Sequence, residues 1–113
     1  MVAEILQALG YRLLLARDGE EAVRQFAAHQ NDISLLLLDV IMPTLDGIDA
    51  YEQICKLMPG VPVIFTSGYS DHGPVLASLT IRGARVLQKP YGAMTLGRRV
   101  REMLDEVEAA KPT

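Results

Sequence analysis

The sequence predicts an α/β fold in which helices cover a parallel β-sheet. Short apolar runs alternate along the chain with amphipathic stretches, which is typical of successive βα units. The run Leu35–Leu38 is apolar at every position, as expected for a central parallel strand with helices on both faces. With 113 residues, the chain has the usual length of one domain, and we expect a single domain over residues 1–113.

The first part of the chain predicts two helices and two strands. The predicted elements are a helix over residues 2–9, a strand over 11–16, a helix after residue 18 and a strand over 32–39. Gly10 would cap the first helix, because glycine commonly follows the last helical residue. Asp18 and Glu21 have the spacing of a capping box, which predicts where the second helix begins.

The remainder of the chain predicts three helices and two strands. They are a helix over residues 48–58, a strand over 62–66, a helix over 74–81, a strand over 84–88 and a helix over 95–109. Pro59-Gly60 would end the first of these helices and Gly83 the second. Asp46, which precedes Gly47, is expected to shape the turn into the helix rather than to act as a catalytic carboxylate.

Composition excludes several classes of function. The net charge is −3 and the basic residues are scattered along the sequence. The sequence therefore does not indicate the basic patch with which a protein binds nucleic acid. The longest apolar run is far shorter than the roughly 20 residues of a membrane helix. The N-terminus lacks the layout of a signal peptide, and we expect a cytoplasmic protein. Cys55 is the only cysteine, which excludes an internal disulfide and a multi-cysteine zinc site.

Three polar residues lie at the carboxyl ends of predicted strands: Asp39, Ser67 and Lys89. The carboxyl ends of parallel strands lie at one edge of a sheet, where α/β proteins bind their ligands. We therefore expect these residues to lie together. Each residue alone has an ordinary explanation, namely a turn residue for Asp39, turn chemistry for Ser67 and a solvated surface group for Lys89. Their shared placement makes the functional interpretation the stronger one.

Together, the three residue types suit phosphoryl chemistry. A carboxylate can attack phosphorus and form an aspartyl phosphate. A lysine ammonium suits the added negative charge, and a serine hydroxyl can donate to a phosphoryl oxygen. Mg²⁺ would complete the neutralisation of charge. A phosphatase with an aspartyl nucleophile would place a second acid at position 41, but Ile41 cannot transfer a proton.

In its motifs and their order, the chain resembles the response-regulator receiver family, which is also found in hybrid histidine kinases. The matching segments are Gly10-Tyr11, residues 16–22 (ARDGEEA), residues 35–43 (LLLLDVIMP), Asp46-Gly47, residues 62–68 (PVIFTSG), Gly83-Ala84 and Lys89-Pro90. They occur in the expected order over nearly the whole chain. The resemblance implies a doubly wound parallel sheet in a flavodoxin-like three-layer sandwich.

The resemblance also implies roles for individual residues. Asp39 would accept a phosphoryl group from a phosphohistidine of a histidine kinase or histidine phosphotransfer protein. Lys89 would contact that group, with a cis peptide bond before Pro90. Ser67 resembles the family's switch hydroxyl, with the neighbouring Thr66 as a competing candidate. Asp39 and the backbone carbonyl of Ile41 would be ligands of Mg²⁺. The domain would be a signalling module with no enzymatic activity beyond its own phosphorylation and dephosphorylation.

Two departures from the family pattern stand out. The first strand and its pair of acidic residues are missing, so we expect an N-terminally incomplete receiver and a doubtful Mg²⁺ site. The strand would lie between those at residues 11–16 and 34–39, and its loss leaves two unpaired edges. Three explanations are open: the sequence belongs to a longer protein, the two strands close up, or another chain fills the gap, as in a homodimer that exchanges strands. Secondly, Val86 replaces the family's aromatic switch residue.

Two functions follow from these observations. The favoured one is a phosphoacceptor receiver of a two-component phosphorelay, which switches a protein-interaction surface on phosphorylation of Asp39. The alternative is a degenerate receiver that acts as a binding or dimerisation module without phosphorylation.

Overall fold

The computed structural model describes residues 2–41, 44–67, 85–89 and 91–110. Within these ranges, helices pack on both faces of one parallel sheet, as predicted. The elements are α1 (Val2–Ala8), α2 (Gly19–His29), β1 (Leu36–Asp39), α3 (Gly47–Leu57), β2 (Val63–Ser67), β3 (Arg85–Gln88) and α4 (Ala93–Ala110). The predicted helix over residues 74–81 lies outside the described residues. None of the helices in the described ranges has the length and apolar character needed to cross a bilayer.

The three described strands are arranged in the order β1–β2–β3, and both neighbouring pairs are parallel. Asp39 at the end of β1 is opposite Thr66, and Ser67 is opposite Gln88. Parallel pairing brings all three carboxyl ends to one edge of the sheet. The predicted edge therefore exists, and β2 extends one residue beyond its predicted end to include Ser67.

A hydrophobic core lies on each face of the sheet, which makes the fold a three-layer sandwich. The first core contains buried residues of α2, α3, β1 and β2 and the segments next to them: Phe26, Leu36, Leu38, Val40, Ile54, Val61, Val63 and Phe65. The second core contains buried residues of α1, β2, β3 and α4: Leu6, Ile64, Leu87, Leu96 and Val100. Apolar residues of β2 enter both cores, as expected for a central strand of a doubly wound sheet.

Aspartate side chains cap the N-termini of the two helices that contribute to the first core. The Asp18 carboxylate accepts a hydrogen bond from the backbone N–H of Glu21 at 2.8 Å, which confirms the predicted cap of α2. The Glu21 carboxylate in turn accepts from the backbone N–H of Arg17 at 2.6 Å. Asp46 caps α3 in the same way, because its carboxylate accepts from the N–H of Asp49 at 3.0 Å. Asp46 therefore shapes the turn into α3, as predicted.

Two glycines hold the chain after β1 close to the starts of α2 and α3. A Cβ on Gly19 would lie 1.7 Å from the carbonyl oxygen of Leu45, and one on Gly47 would lie 2.0 Å from that of Asp39. The Gly47 N–H also donates to the carbonyl of Val40 at 2.9 Å. The backbone next to Asp39 is therefore fixed by a close approach that any larger residue would obstruct.

The prediction of a strand over Tyr11–Ala16 is wrong. These residues form no strand, and the Tyr11 N–H donates instead to the carbonyl of Leu6 at 3.1 Å. A strand requires a hydrogen-bonded neighbour, and none of the described residues supplies one to this segment. Leu14 and Leu15 are consequently 50% and 63% exposed despite their apolar character.

One edge of β1 has no partner strand within the described ranges. Leu36 and Val40 donate their N–H groups to Pro62 and Thr66 of the β2 side, both at 2.9 Å. In a parallel strand, alternate residues direct their N–H and C=O groups to opposite neighbours. Leu37 and Asp39 therefore direct theirs away from β2. The first strand implied by the family resemblance would pair with β1 at this edge.

The hydroxyl of Tyr51 is expected to make the stability of the first core depend on pH. It donates to the carbonyl of Val61 at 3.3 Å, and the ring meets Phe65 edge to face at a centroid distance of 5.6 Å. Burial first, and the Cys55 side chain second, raise the pKa of Tyr51 from 10.0 to about 12.

Since the folded pKa is the higher one, Tyr51 contributes stability that is complete below pH 10.0 and is lost as the pH approaches about 12. Urea unfolding across this range should therefore show a smaller loss of stability for Tyr51→Phe than for the wild type. Equal losses in the two proteins would show that Tyr51 has no part in the alkaline transition.

Candidate functional site

Three side chains meet at the carboxyl edge of the sheet. Asp39 is the last residue of β1, Thr66 lies opposite it on β2, and Lys89 follows β3. The Thr66 hydroxyl donates a hydrogen bond to Oδ1 of Asp39. The Lys89 Nζ lies 3.1 Å from the same oxygen. The structure therefore brings together Asp39, Lys89 and one of the two candidate hydroxyls.

Side-chain alternation along the strands explains this grouping. Successive residues of a strand point to opposite faces, so residues two apart share a face. Each of the three site residues follows, two positions later in the chain, an apolar residue that packs in or against the second core. These apolar residues are Leu37, Ile64 and Leu87. Asp39, Thr66 and Lys89 therefore extend one face of the sheet beyond the end of that core.

Ser67 alternates onto the other face, together with Phe65 of the first core. Its side chain is 1% exposed, and the hydroxyl has no hydrogen-bond partner in the described part of the chain. An unpaired buried hydroxyl costs free energy, which is compatible with a group whose partner arrives in another state. Lys89 is joined to this strand end, because its N–H donates to the Ser67 carbonyl at 2.7 Å.

The carboxylate and the ammonium are accessible, whereas the hydroxyl beside them is not. The side chains of Asp39 and Lys89 are each 46% exposed, while Thr66 is 3% exposed. A half-exposed ion pair is screened by water and salt and contributes little to stability. Its importance is chemical, because the ammonium offsets the repulsion between the carboxylate and an approaching phosphoryl anion.

Tyr91 is a residue near the site that sequence reasoning missed. Burial raises the pKa of its phenol, and the negative charge of Asp39 raises it further, whereas Lys89 opposes the shift. The ring packs against the second core. Its position two residues after Lys89 was the available signal, because both follow the same strand end.

The loop after β1 lies over the start of α2. Thr44 has a φ of 65°, in the left-handed region that is uncommon for residues other than glycine. Its hydroxyl oxygen accepts a hydrogen bond from the backbone N–H of Glu20 at 3.4 Å. This contact and the one at Gly19 attach the loop to α2, and the loop contains Ile41, whose side chain is 57% exposed.

The expected metal ligands are only partly represented in the described ranges. No group of three or more His, Cys, Asp or Glu side chains comes together there. Asp39 and the backbone carbonyl of Ile41 are the remaining candidates. Mg²⁺ commonly keeps several waters and binds one or two carboxylates together with phosphate oxygens, so these two ligands are compatible with it.

Two further sequence expectations have different outcomes. Pro90, and with it the predicted cis peptide bond, lies outside the described residues. Val86, which replaces the family's aromatic residue, is partly buried and packs against the first core.

Comparison with known proteins identifies the family of the chain. The family model of the response regulator receiver domain matches residues 1–101. The chain is 28% identical over 108 residues to the alkaline phosphatase synthesis transcriptional regulatory protein PhoP of Bacillus subtilis (strain 168), covering 96% of this chain and 44% of that protein. It is 33% identical over 105 residues to the uncharacterized transcriptional regulatory protein YbdJ of the same strain, covering 93% and 45%. The chain thus spans less than half the length of both regulators.

A solved structure gives the same result for the fold. The crystal structure of a response regulator receiver domain protein from Clostridium thermocellum superposes with a TM-score of 0.86 at 26% identity, covering 97% of this chain and 87% of that one. The sequence match and the fold agree. The chain belongs to the response regulator receiver domain family, the signalling modules of two-component systems.

Proposed function

We propose that the chain is the phosphoacceptor of a two-component phosphorelay in the cytoplasm. It takes a phosphoryl group from the phosphohistidine of a histidine kinase or histidine phosphotransfer protein onto Asp39. The observation that carries the proposal is the contact of the half-exposed Asp39 carboxylate with the Lys89 ammonium at 3.1 Å. A nucleophilic carboxylate and a phosphate-binding cation are the two groups that this transfer needs most.

Lys89 serves both the reactant and the product of the transfer. Before the reaction, it offsets the charge of Asp39 and lets a phosphoryl anion approach. Afterwards, the carboxylate has become part of an acyl phosphate, and the negative charge resides on the phosphoryl oxygens, which are then the better partner for the ammonium. We propose that Lys89 moves from the carboxylate to the phosphoryl group.

Receiver domains generally bind Mg²⁺ at the phosphorylation site. In this chain, Asp39 and the backbone carbonyl of Ile41 would hold the ion, with water and phosphoryl oxygens completing its shell. The ion would neutralise charge on the phosphoryl oxygens.

Ser67 is the proposed switch hydroxyl. Its buried hydroxyl has no partner among the described residues, and its carbonyl accepts the N–H of Lys89. Movement of Lys89 toward a phosphoryl group would therefore disturb the end of β2. Such a local change can bias a two-state surface that a partner protein recognises.

The proposal predicts a covalent adduct that depends on one residue. Incubation with acetyl phosphate and Mg²⁺, or with a phosphorylated histidine donor, should raise the intact mass by one phosphoryl group. Asp39→Asn should abolish the increase, because a neutral amide is not a nucleophile toward phosphorus. Asp49→Asn, at an exposed position of α3, is the matched control and should react like the wild type. A wild type without an adduct, or an adduct that survives in Asp39→Asn, would contradict the proposal.

A second candidate is a binding or dimerisation module that does not require phosphorylation. The unpaired edge of β1 in the described ranges favours it, together with the exposed Leu14 and Leu15. Open strand edges pair readily with other chains. This candidate predicts a homodimer whose dissociation constant is the same in the wild type and in Asp39→Asn, with or without phosphodonor. Sedimentation measurements would distinguish the two candidates.

A further inference from the structure

Both protein donors at the site converge on one oxygen of Asp39. The Thr66 hydroxyl donates to Oδ1, and the Lys89 Nζ lies 3.1 Å from Oδ1. Oδ2 has no hydrogen-bond or ion-pair partner in the described part of the chain. The two oxygens of the carboxylate are therefore in different environments.

The difference has a chemical consequence. Each carboxylate oxygen has about two lone-pair sites. Before a phosphodonor and Mg²⁺ bind, Thr66 and Lys89 together use those of Oδ1, whereas no group in the described ranges uses those of Oδ2. Once Lys89 has moved to the phosphoryl group, the lone pair that it leaves on Oδ1 would be available to Mg²⁺. Since donors also withdraw electron density from the oxygen they contact, Oδ2 is the better nucleophile of the two.

We infer that Thr66 is a positioning residue, which together with Lys89 holds Oδ1 so that Oδ2 attacks phosphorus. This inference rests on the proposed function and deepens it, because it assigns the reacting oxygen and the side chain that selects it. Sequence comparison within the motif favoured Ser67 as the functional hydroxyl, whereas the structure gives Thr66 a separate role before the reaction.

The transfer balances with this assignment. With acetyl phosphate as donor, an electron pair on Oδ2 forms the bond to phosphorus. The bond from phosphorus to the bridging oxygen breaks, and acetate leaves with that electron pair. No proton moves to or from the protein. Oδ1 becomes the carbonyl oxygen of the aspartyl phosphate, which can still accept the Thr66 hydrogen bond, while Lys89 is released.

Thr66 is better suited than Lys89 to fix the orientation of the carboxylate. Thr66 is 3% exposed, and its strand is paired with both β1 and β3, so its short side chain has little freedom. Lys89 is 46% exposed and has a long flexible side chain. Without the Thr66 hydroxyl, we expect the carboxylate to rotate and to present either oxygen to Lys89.

Rates of adduct formation with acetyl phosphate test the inference. Thr66→Val keeps the shape of the side chain but removes the donor, and it should react about 10- to 100-fold more slowly than the wild type. Thr66→Ser restores a hydroxyl and should recover most of the rate. Thr95→Val makes the same chemical change on α4 and controls for the general loss of a threonine hydroxyl. A Thr66→Val protein that reacts at the wild-type rate, or Thr66→Ser that fails to recover, would overturn the inference.

A second readout separates this inference from the proposed function. By NMR, the Thr66 hydroxyl proton should exchange slowly with water in the wild type and rapidly in Asp39→Ala. If the wild type forms no adduct, the proposed function fails. The exchange rate of the Thr66 hydroxyl proton still shows whether this hydroxyl is hydrogen-bonded to Oδ1 of Asp39. A hydroxyl proton that exchanges rapidly in the wild type would refute the Thr66 contact, whatever the adduct assay shows.

Discussion

Replacing Gly47 with alanine is expected to lower the free energy of unfolding by more than about 2 kcal/mol. The new Cβ would lie 2.0 Å from the carbonyl oxygen of Asp39, which is part of the backbone and cannot rotate away. Either the start of α3 or the end of β1 must therefore shift. Because the displaced strand end holds Asp39, adduct formation with acetyl phosphate should slow as well. Urea unfolding and intact-mass kinetics measure the two effects.

Gly92→Ala is the matched control for this change. A Cβ on Gly92 meets nothing within 4 Å, so the variant should retain wild-type stability and reactivity. A Gly47→Ala protein with the stability of the Gly92→Ala protein would show that the backbone of α3 and β1 adapts without cost.

Replacing Lys89 with methionine is expected to slow adduct formation by about 100-fold, while the fold remains intact. Methionine has a similar length but no charge, so the variant removes the cation near Asp39 without opening a cavity. The exposed fraction of both side chains, 46%, means that water can solvate Asp39 in the variant. Stability should therefore change little, since half-exposed ion pairs contribute little to it.

Lys56→Met, at an exposed position of α3, is the control for loss of a positive charge elsewhere. It should react at close to the wild-type rate. Equal rates for the Lys56 and Lys89 variants would mean that net charge, rather than the ammonium at the site, governs the reaction.

Much of the fold was predictable, because apolar periodicity and capping residues act locally. Asp18 and Asp46 cap α2 and α3 as the sequence indicates. The apolar run before Asp39 forms β1 between two cores. The strand over Tyr11–Ala16 was predicted wrongly for a non-local reason. Its run of leucines suits a buried strand, but an apolar run cannot supply the neighbouring strand whose backbone groups the segment would need.

The site was predictable only in part. The order of the strands brings Asp39 and Lys89 together, and motif spacing is sufficient to identify both. Which hydroxyl contacts Asp39 depends on the register between β1 and β2, which the sequence does not give. The sequence predicts an end at Thr66, with Ser67 in the turn, whereas β2 includes both residues. The register of β1 against β2, which pairs Asp39 with Thr66, decides that these two residues share a face.

The most direct test of phosphoryl acceptance is to locate the modified residue chemically. Borohydride reduces an aspartyl phosphate to homoserine, and peptide mass mapping after treatment with phosphodonor then identifies the position. Homoserine at position 39 is the predicted result. Homoserine at another carboxylate, such as Asp46 or Asp49, or none at any position despite a phosphoryl adduct, would contradict Asp39 as the acceptor.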